Sequence, residues 1–83
     1  MKKIKTDAPL NQIGQNIMAA RIKAGLSQQQ LSAKLELLPV YICRGSISRI
    51  EHGQRIVTDI ELVALAKVLQ VDPNTLLGWT EDN

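Results

Sequence analysis

Cys43 and His52 are the residues whose types and spacing most resemble a catalytic pair. A thiol nine residues before an imidazole can act as a nucleophile beside a base. We favour a simpler interpretation, in which Cys43 is a lone buried thiol and His52 is a surface imidazole near the last carbonyls of a helix. No glycine-rich phosphate loop, no plausible Ser–His–Asp set and no pair of acids beside a predicted pocket accompanies them. The residue types therefore do not predict an enzyme.

The counts of cysteine and histidine also limit metal and redox chemistry. One cysteine excludes an internal disulfide, and one cysteine with one histidine cannot form the usual four-ligand structural zinc site. No apolar run approaches the ~20 residues of a membrane-spanning helix, and the N-terminal lysines are not followed by the apolar segment of a secretion signal. We therefore expect a cytoplasmic protein without a metal, a cofactor or a membrane anchor.

The segment SISRIEHG, residues 46–53, has the spacing of a short helix with one buried face and one polar face. At ~100° per residue, Ile47 and Ile50 share the buried side. The opposite side then carries Gly45, Ser48, Arg49 and His52. Glu51 falls at the edge of the buried stripe, where an unpaired charge would cost on the order of several kcal/mol. Arg21 is its expected partner, unless both side chains simply reach water.

Charge divides the chain into two unequal parts. Residues 1–55 hold nine lysines and arginines against three acids, a surplus of six positive charges. Residues 56–83 hold one lysine against five acids, a surplus of four negative charges. This polarity predicts a polyanion-binding surface on the first two-thirds of the chain, although a chance imbalance on a solvated surface would look the same.

Five short helices are predicted from apolar spacing and capping residues. The first extends over about 9–24, and its apolar stripe is formed by Leu10, Ile13, Ile17, Ala20 and Ala24. Ser27 and Gln30 form a capping box that starts the second helix, which Pro39 ends near Leu37 or Leu38. The third is the SISRIEHG helix, with Gly53 as its stop.

The last two helices have the clearest start signals. Thr58 and Glu61 form a second capping box, and the apolar stripe behind it consists of Leu62, Leu65, Ala66 and Leu69. Asp72 before Pro73 is an N-cap with proline at the first helical position, and this helix ends at Leu77 before Gly78. The fold class is all-α, with a core of aliphatic residues.

Three segments together resemble the Cro/CI-type (XRE-type) helix-turn-helix family of DNA-binding regulators. They are IGQNIMAARIKAGLSQQQLSAKL, ISRIEHGQR and LVALAKVLQVDPNTLL, and they cover about residues 13–77. The resemblance implies a compact, lambda-repressor-like five-helix domain in which the second and third helices form the helix-turn-helix. We place this domain at residues 9–79, after a basic arm at 1–8 and before a polar tail at 80–83.

The resemblance also implies roles for the matching residues. Base edges in the major groove would be contacted by Ser46, Ser48 and Arg49 on the third helix, and by Arg44 just before or at its start. The sugar-phosphate backbone would be contacted by Gln28, His52 and Arg55. Arg21 and Glu51 match the internal salt bridge of the family and would be structural.

The segment between the second and third helices departs from the family. Eleven residues separate Leu35 from Ile47, about five more than a tight family turn uses, and the excess is roughly ELLPV. Either the second helix runs an extra turn before Pro39, or the connector forms a small apolar loop beneath the third helix. We interpret LPVYICRG as a buried connector and Gly45 as a cap or turn residue.

The function that this resemblance implies is sequence-specific binding of double-stranded DNA by a transcriptional regulator, expected to be a repressor and a homodimer. The dimer contact is expected at Leu76, Leu77 and Trp79, unless Trp79 covers the core of its own domain. The alternative is an antitoxin-like module that sequesters a partner protein. RNA binding ranks lower because only two aromatic residues, Tyr41 and Trp79, could stack on bases.

Overall fold

The computed structural model describes residues 8–38 and 40–79. Within these ranges the chain forms five α-helices and no strand: α1 (Gly14–Lys23), α2 (Gln28–Leu35), α3 (Arg44–Glu51), α4 (Asp59–Leu69) and α5 (Pro73–Leu77). The prediction of an all-α, five-helix fold is confirmed. Residues 1–7 of the predicted basic arm and the whole predicted tail, 80–83, lie outside the described residues.

The core is an aliphatic cluster to which all five helices contribute. α3 packs against α1 and α2, and α4 packs against α1, α2 and α5. The most deeply buried side chains are Ile17, Leu31, Leu35, Ile42, Ile47, Ile50, Leu65 and Leu76. Within the described residues no helix has both the length and the apolar character needed to cross a membrane.

The start of α1 was predicted too early. The helix begins at Gly14 rather than near Pro9, and Leu10 is 57% exposed rather than part of the buried stripe. Asn11 explains the difference, because its Oδ1 accepts hydrogen bonds from the backbone N–H groups of Ile13 and Gly14. Its Nδ2 donates to the carbonyls of Ile50 and Arg55, so the same side chain joins the start of α1 to the end of α3.

The predicted capping boxes of α2 and α4 both form. Ser27 Oγ accepts from the N–H of Gln30, and the Gln30 side chain accepts from the N–H of Ser27. Thr58 and Glu61 exchange the equivalent pair of bonds at the start of α4. Asp72 caps α5 through Asn74, with Pro73 at the first helical position. Each of these caps fixes the start of its helix, and each involves only residues within one turn of that start.

The connector between α2 and α3 is neither an extended α2 nor a fully buried loop. α2 ends at Leu35, and a hydrogen-bonded turn follows at Glu36, Leu37 and Leu38, of which Leu37 is 81% exposed. Among the described connector residues, Ile42 is fully buried and Val40 packs against the core, whereas Tyr41 and Cys43 are exposed. The prediction that Cys43 is a buried thiol is therefore wrong, because Cys43 lies on the outer side of the connector.

α1 and α3 approach each other closely at Gly14. A Cβ atom added to Gly14 would overlap the backbone carbonyl oxygen of Ile50. The absence of a side chain there lets the start of α1 lie directly on the C-terminal turn of α3. α3 is consequently held at its C-terminal end by α1 and by Asn11.

Candidate nucleic-acid interface

α3 presents a polar face to solvent because its apolar residues all point into the core. Ile47 and Ile50 are each 1% exposed, and Glu51 is also buried. The side chains left at the surface belong to Arg44, Ser46, Ser48, Arg49 and His52. Gly45 is the second residue of the helix and not a cap or turn, so that part of the sequence interpretation is wrong.

Ser46 links the two ends of this polar face. Its Oγ accepts a hydrogen bond of 3.0 Å from Arg49 Nη2 and lies 3.3 Å from Cys43 Sγ. Hydrogen bonding by Ser46 to the thiolate is the main reason that the pKa of Cys43 is lowered from its ordinary value. These contacts orient Arg49 along the helix with its guanidinium at the surface. Less conformational entropy is therefore lost when this long side chain binds a ligand.

A buried ion pair joins α1 to α3. Arg21 Nε donates to Glu51 Oε2 at 2.7 Å, and Arg21 Nη2 donates to Glu51 Oε1 at 3.0 Å. Arg21 Nη1 also donates to the carbonyl of Leu26, and the hydrogen bond with Glu51 raises the pKa of Arg21. Because the Glu51 side chain has no exposed surface, the alternative in which both groups reach water is excluded.

Gln28 completes the same cluster from the first position of α2. Its Nε2 donates to Glu51 Oε1 at 3.0 Å, so the side chain expected at a DNA phosphate already has a partner inside the protein. α2 nevertheless has no acidic residue in its first turn, and the N-terminal N–H groups of a helix favour an anion. Any phosphate contact at Gln28 would therefore involve its backbone as much as its side chain.

The two remaining residues expected at the DNA backbone lie beyond the end of α3. His52 is exposed, and its Nδ1 lies 2.7 Å from the carbonyl of Ser48. Arg55 is half-buried and forms two hydrogen bonds of 2.9 Å with the carboxylate of Glu61. That ion pair raises the pKa of Arg55 and lowers that of Glu61, so a phosphate would have to share or displace it.

Two residues of this region were not identified from the sequence. Asn11 holds the end of α3, and an asparagine a few residues before an apolar run is a recognisable capping signal. Tyr41 is 60% exposed beside the N-terminal end of α3, and no local sequence signal distinguishes it from a core aromatic. Within the described ranges, no group of three or more potential metal ligands occurs.

The geometry defines a class of protein. A short amphipathic helix is fixed against a second helix by a buried ion pair, and its outer side carries two arginines and two serines without an acid. Such a helix fits the width of the DNA major groove. The class is that of helix-turn-helix DNA-binding proteins.

Comparison with known proteins agrees with this assignment. The chain belongs to the XRE-type helix-turn-helix family, whose model, described as Helix-turn-helix, matches residues 17–76. It is thus a sequence-specific DNA-binding transcriptional regulator whose ligand is double-stranded DNA. The members of this family, and the solved structure described next, are DNA-binding regulators and not enzymes.

One solved relative is the restriction-modification controller protein C.AhdI from Aeromonas hydrophila, which is 30% identical to this chain. The two structures superpose with a TM-score of 0.68, over 77% of this chain and 86% of that one. No curated protein matches the chain significantly.

Proposed function

We propose that the protein represses transcription as a homodimer that reads its operator with α3. The observation that carries the proposal is the polar outer face of α3, where Arg49 is held in place by Ser46. Repression requires only that the bound protein covers DNA needed by the transcription machinery, so no further domain is needed for it. A regulator of this kind must be in the same compartment as its operator DNA, which fits the cytoplasmic location expected from the sequence.

The base contacts are assigned to Arg44, Ser46, Ser48 and Arg49. Arg49 is the central one, because arginine can bind guanine O6 and N7 with two hydrogen bonds, worth about 1–3 kcal/mol of discrimination. Arg44, the first residue of α3, is exposed and extends the basic surface toward the N-terminal end of the helix. Ser46 and Ser48 supply hydroxyl groups between the two arginines.

The phosphate contacts are assigned to Gln28, His52 and Arg55. Gln28 contributes the N-terminal turn of α2, and His52 contributes the ring nitrogen that does not face the carbonyl of Ser48. Arg55 keeps Glu61 as its partner and offers a phosphate the exposed part of its guanidinium. These groups orient α3 on the duplex and carry no sequence information of their own.

A homodimer is proposed because one α3 offers few base contacts, whereas two would read half-sites about 34–36 Å apart. Leu76 cannot form the interface, since it is fully buried. Leu77 and Trp79 are exposed, and Leu77 lines a shallow apolar groove with Leu10 and Ile56. With 69% of its surface exposed, Trp79 does not cover the core of its own domain, which leaves it available to a second copy.

The experiment is selection of binding sites from a random duplex library, with the solution mass measured in parallel. We expect a two-fold symmetric site and a dimer. Arg49→Ala should weaken binding to the selected site by about 5- to 150-fold, from the ~1–3 kcal/mol above. It should leave binding to random duplex nearly unchanged. Lys23→Ala is the matched control, because Lys23 is an exposed cation at the far end of α1. Equal losses on both duplexes would assign Arg49 to a phosphate instead.

One observation favours the protein-binding alternative. Leu37, Ile60 and Val63 are exposed and line an apolar groove between the turn after α2 and the start of α4. A partner protein sequestered by this chain could bind there, as an antitoxin-like function would require. Failure to select any duplex, at a protein concentration where the fold is intact, would support this function over operator binding.

A further inference from the structure

The connector before α3 places alternate side chains inside and outside the protein. Val40 is half-buried, Tyr41 is exposed, Ile42 is fully buried and Cys43 is exposed. Ile42 enters the core cluster and anchors this segment. Tyr41 is directed outward because it lies between two residues that face inward. The connector therefore places an aromatic side chain at the surface beside α3.

Tyr41 shares a polar groove of about 540 Å³ with the two helices of the helix-turn-helix. One wall comes from α2 and the other from the N-terminal half of α3. The side chains that matter here belong to Gln28, Gln29, Tyr41, Arg44 and Ser48. Among the described residues no carboxylate lines this groove, and Arg44 gives it a positive charge. The groove is thus continuous with the surface that carries the proposed base-contacting residues Arg44 and Ser48. Its positive charge suits it to an anion.

We propose that Tyr41 is an additional DNA contact, and that its phenol donates a hydrogen bond to a phosphate at the edge of the major groove that α3 enters. The proposal rests on the DNA-binding mode proposed above. Tyrosine is suited to this contact because its hydroxyl is a good donor and because its side chain has few rotatable bonds to order.

A phosphate is favoured over a base because of where Tyr41 lies. It precedes α3, beyond the N-terminal end of the helix, and faces the first turn of α2, whose free N–H groups favour an anion. A side chain at the flank of the recognition helix meets the rim of the groove before it meets the base edges. Tyr41 and the start of α2 would then hold one strand from two sides.

The test is Tyr41→Phe, which removes the hydroxyl and keeps the ring. We expect affinity to fall by about 10- to 150-fold on both the selected site and random duplex, as for loss of one hydrogen bond to a charged group. The slope of affinity against salt should not change, since the phenol is neutral. Leu37→Ala is the matched control, because Leu37 lies in the same connector but lines the separate groove beside α4. Melting temperatures of both variants should equal that of the wild type.

A scan of single methylphosphonate substitutions through the selected site locates the contact. One substitution that weakens binding of the wild type should have no further effect on Tyr41→Phe. Unchanged affinity of Tyr41→Phe would overturn the proposal, and so would a loss confined to the selected site, which would indicate a base contact. If the wild type bound no duplex at all, the proposed function would fail before Tyr41 came into question, so the two failures are distinguishable.

Discussion

Glu51 is the residue on which the arrangement of the helices depends most. Its two carboxylate oxygens accept three hydrogen bonds, two from Arg21 on α1 and one from Gln28 on α2. Its own position is near the end of α3. A single buried carboxylate thus joins all three helices that shape the DNA-binding surface. The geometry also compensates the cost of burying a charge, because each oxygen has at least one donor.

Glu51→Gln should strongly destabilise the fold. The substitution preserves the shape of the side chain but leaves the guanidinium of Arg21 without its counter-ion, and breaking a buried pair typically costs about 3–5 kcal/mol. The free energy of unfolding, measured with denaturant, checks this. Glu36→Gln is the matched control, because Glu36 is an exposed carboxylate just after α2. Equal stabilities of Glu51→Gln and the wild type would contradict a structural role for the pair.

Replacing both partners should do less harm than replacing one. In the double variant Arg21→Met with Glu51→Leu, no charge is left unpaired in the interior, and apolar side chains of similar size fill the space. We expect its free energy of unfolding to exceed that of Glu51→Gln. A double variant less stable than the single one would mean that the hydrogen bonds to Leu26 and from Gln28 matter more than the ion pair.

At the scale of the helices, two glycines in helical positions have opposite roles. Gly14 opens α1 where a Cβ would overlap the carbonyl of Ile50, whereas a Cβ at Gly45 in α3 would meet nothing closer than the Arg49 guanidinium, at 3.9 Å. Glycine in a helix ordinarily costs roughly 1 kcal/mol relative to alanine. The same substitution should therefore change stability in opposite directions at these two positions.

Gly14→Ala should destabilise the protein by about 1–3 kcal/mol, the usual range for overpacking. Gly45→Ala should stabilise it by roughly 0.5–1 kcal/mol through helix propensity. Thermal melting of the two variants side by side provides the measurement, with each serving as the control for the other. If both substitutions stabilised the protein, α1 and α3 would not be in the close contact described.

The start of α4 should make stability sensitive to acid. Hydrogen bonds from Arg55 are the main reason that the pKa of Glu61 lies below its ordinary value of 4.5. A depressed folded-state pKa contributes stability that is fully present above the ordinary value and is lost as pH falls through the folded-state value. Glu61→Gln should therefore flatten the decline in melting temperature below about pH 4.5. An identical decline in wild type and variant would contradict this.

Features set by neighbouring residues could be predicted from the sequence, and features set by distant ones could not. The caps at Ser27 and Thr58 involve residues within one turn, so the local pattern contains all the information needed. The start of α1 depends on Asn11, whose side chain is held by Ile50 and Arg55 some forty residues away. Gln28 and Arg55 were expected at the DNA backbone. Their partners inside the protein were not predicted, because these come from other elements of the fold.

At the scale of the whole molecule, DNA affinity should fall steeply with salt concentration. The logarithm of the binding constant decreases by about 0.9 per phosphate neutralised for each tenfold increase in salt. Arg44 and Arg49 concentrate positive charge on the exposed face of α3, which attracts the DNA polyanion. Fluorescence anisotropy across a salt series measures the slope. A flat response would contradict binding to the DNA backbone, and Lys23→Gln should leave the slope unchanged.

The buried position of Ile42 also determines where the chain can be lengthened or labelled. Because this side chain is fixed in the core two residues before α3, it holds the start of the reading helix on the fold independently of the exposed turn at Leu37. The side chain of Leu37 lies largely at the surface. Extra residues, a tag or a fluorophore inserted there would leave α3 aligned, so this turn is a natural point for lengthening or labelling the protein.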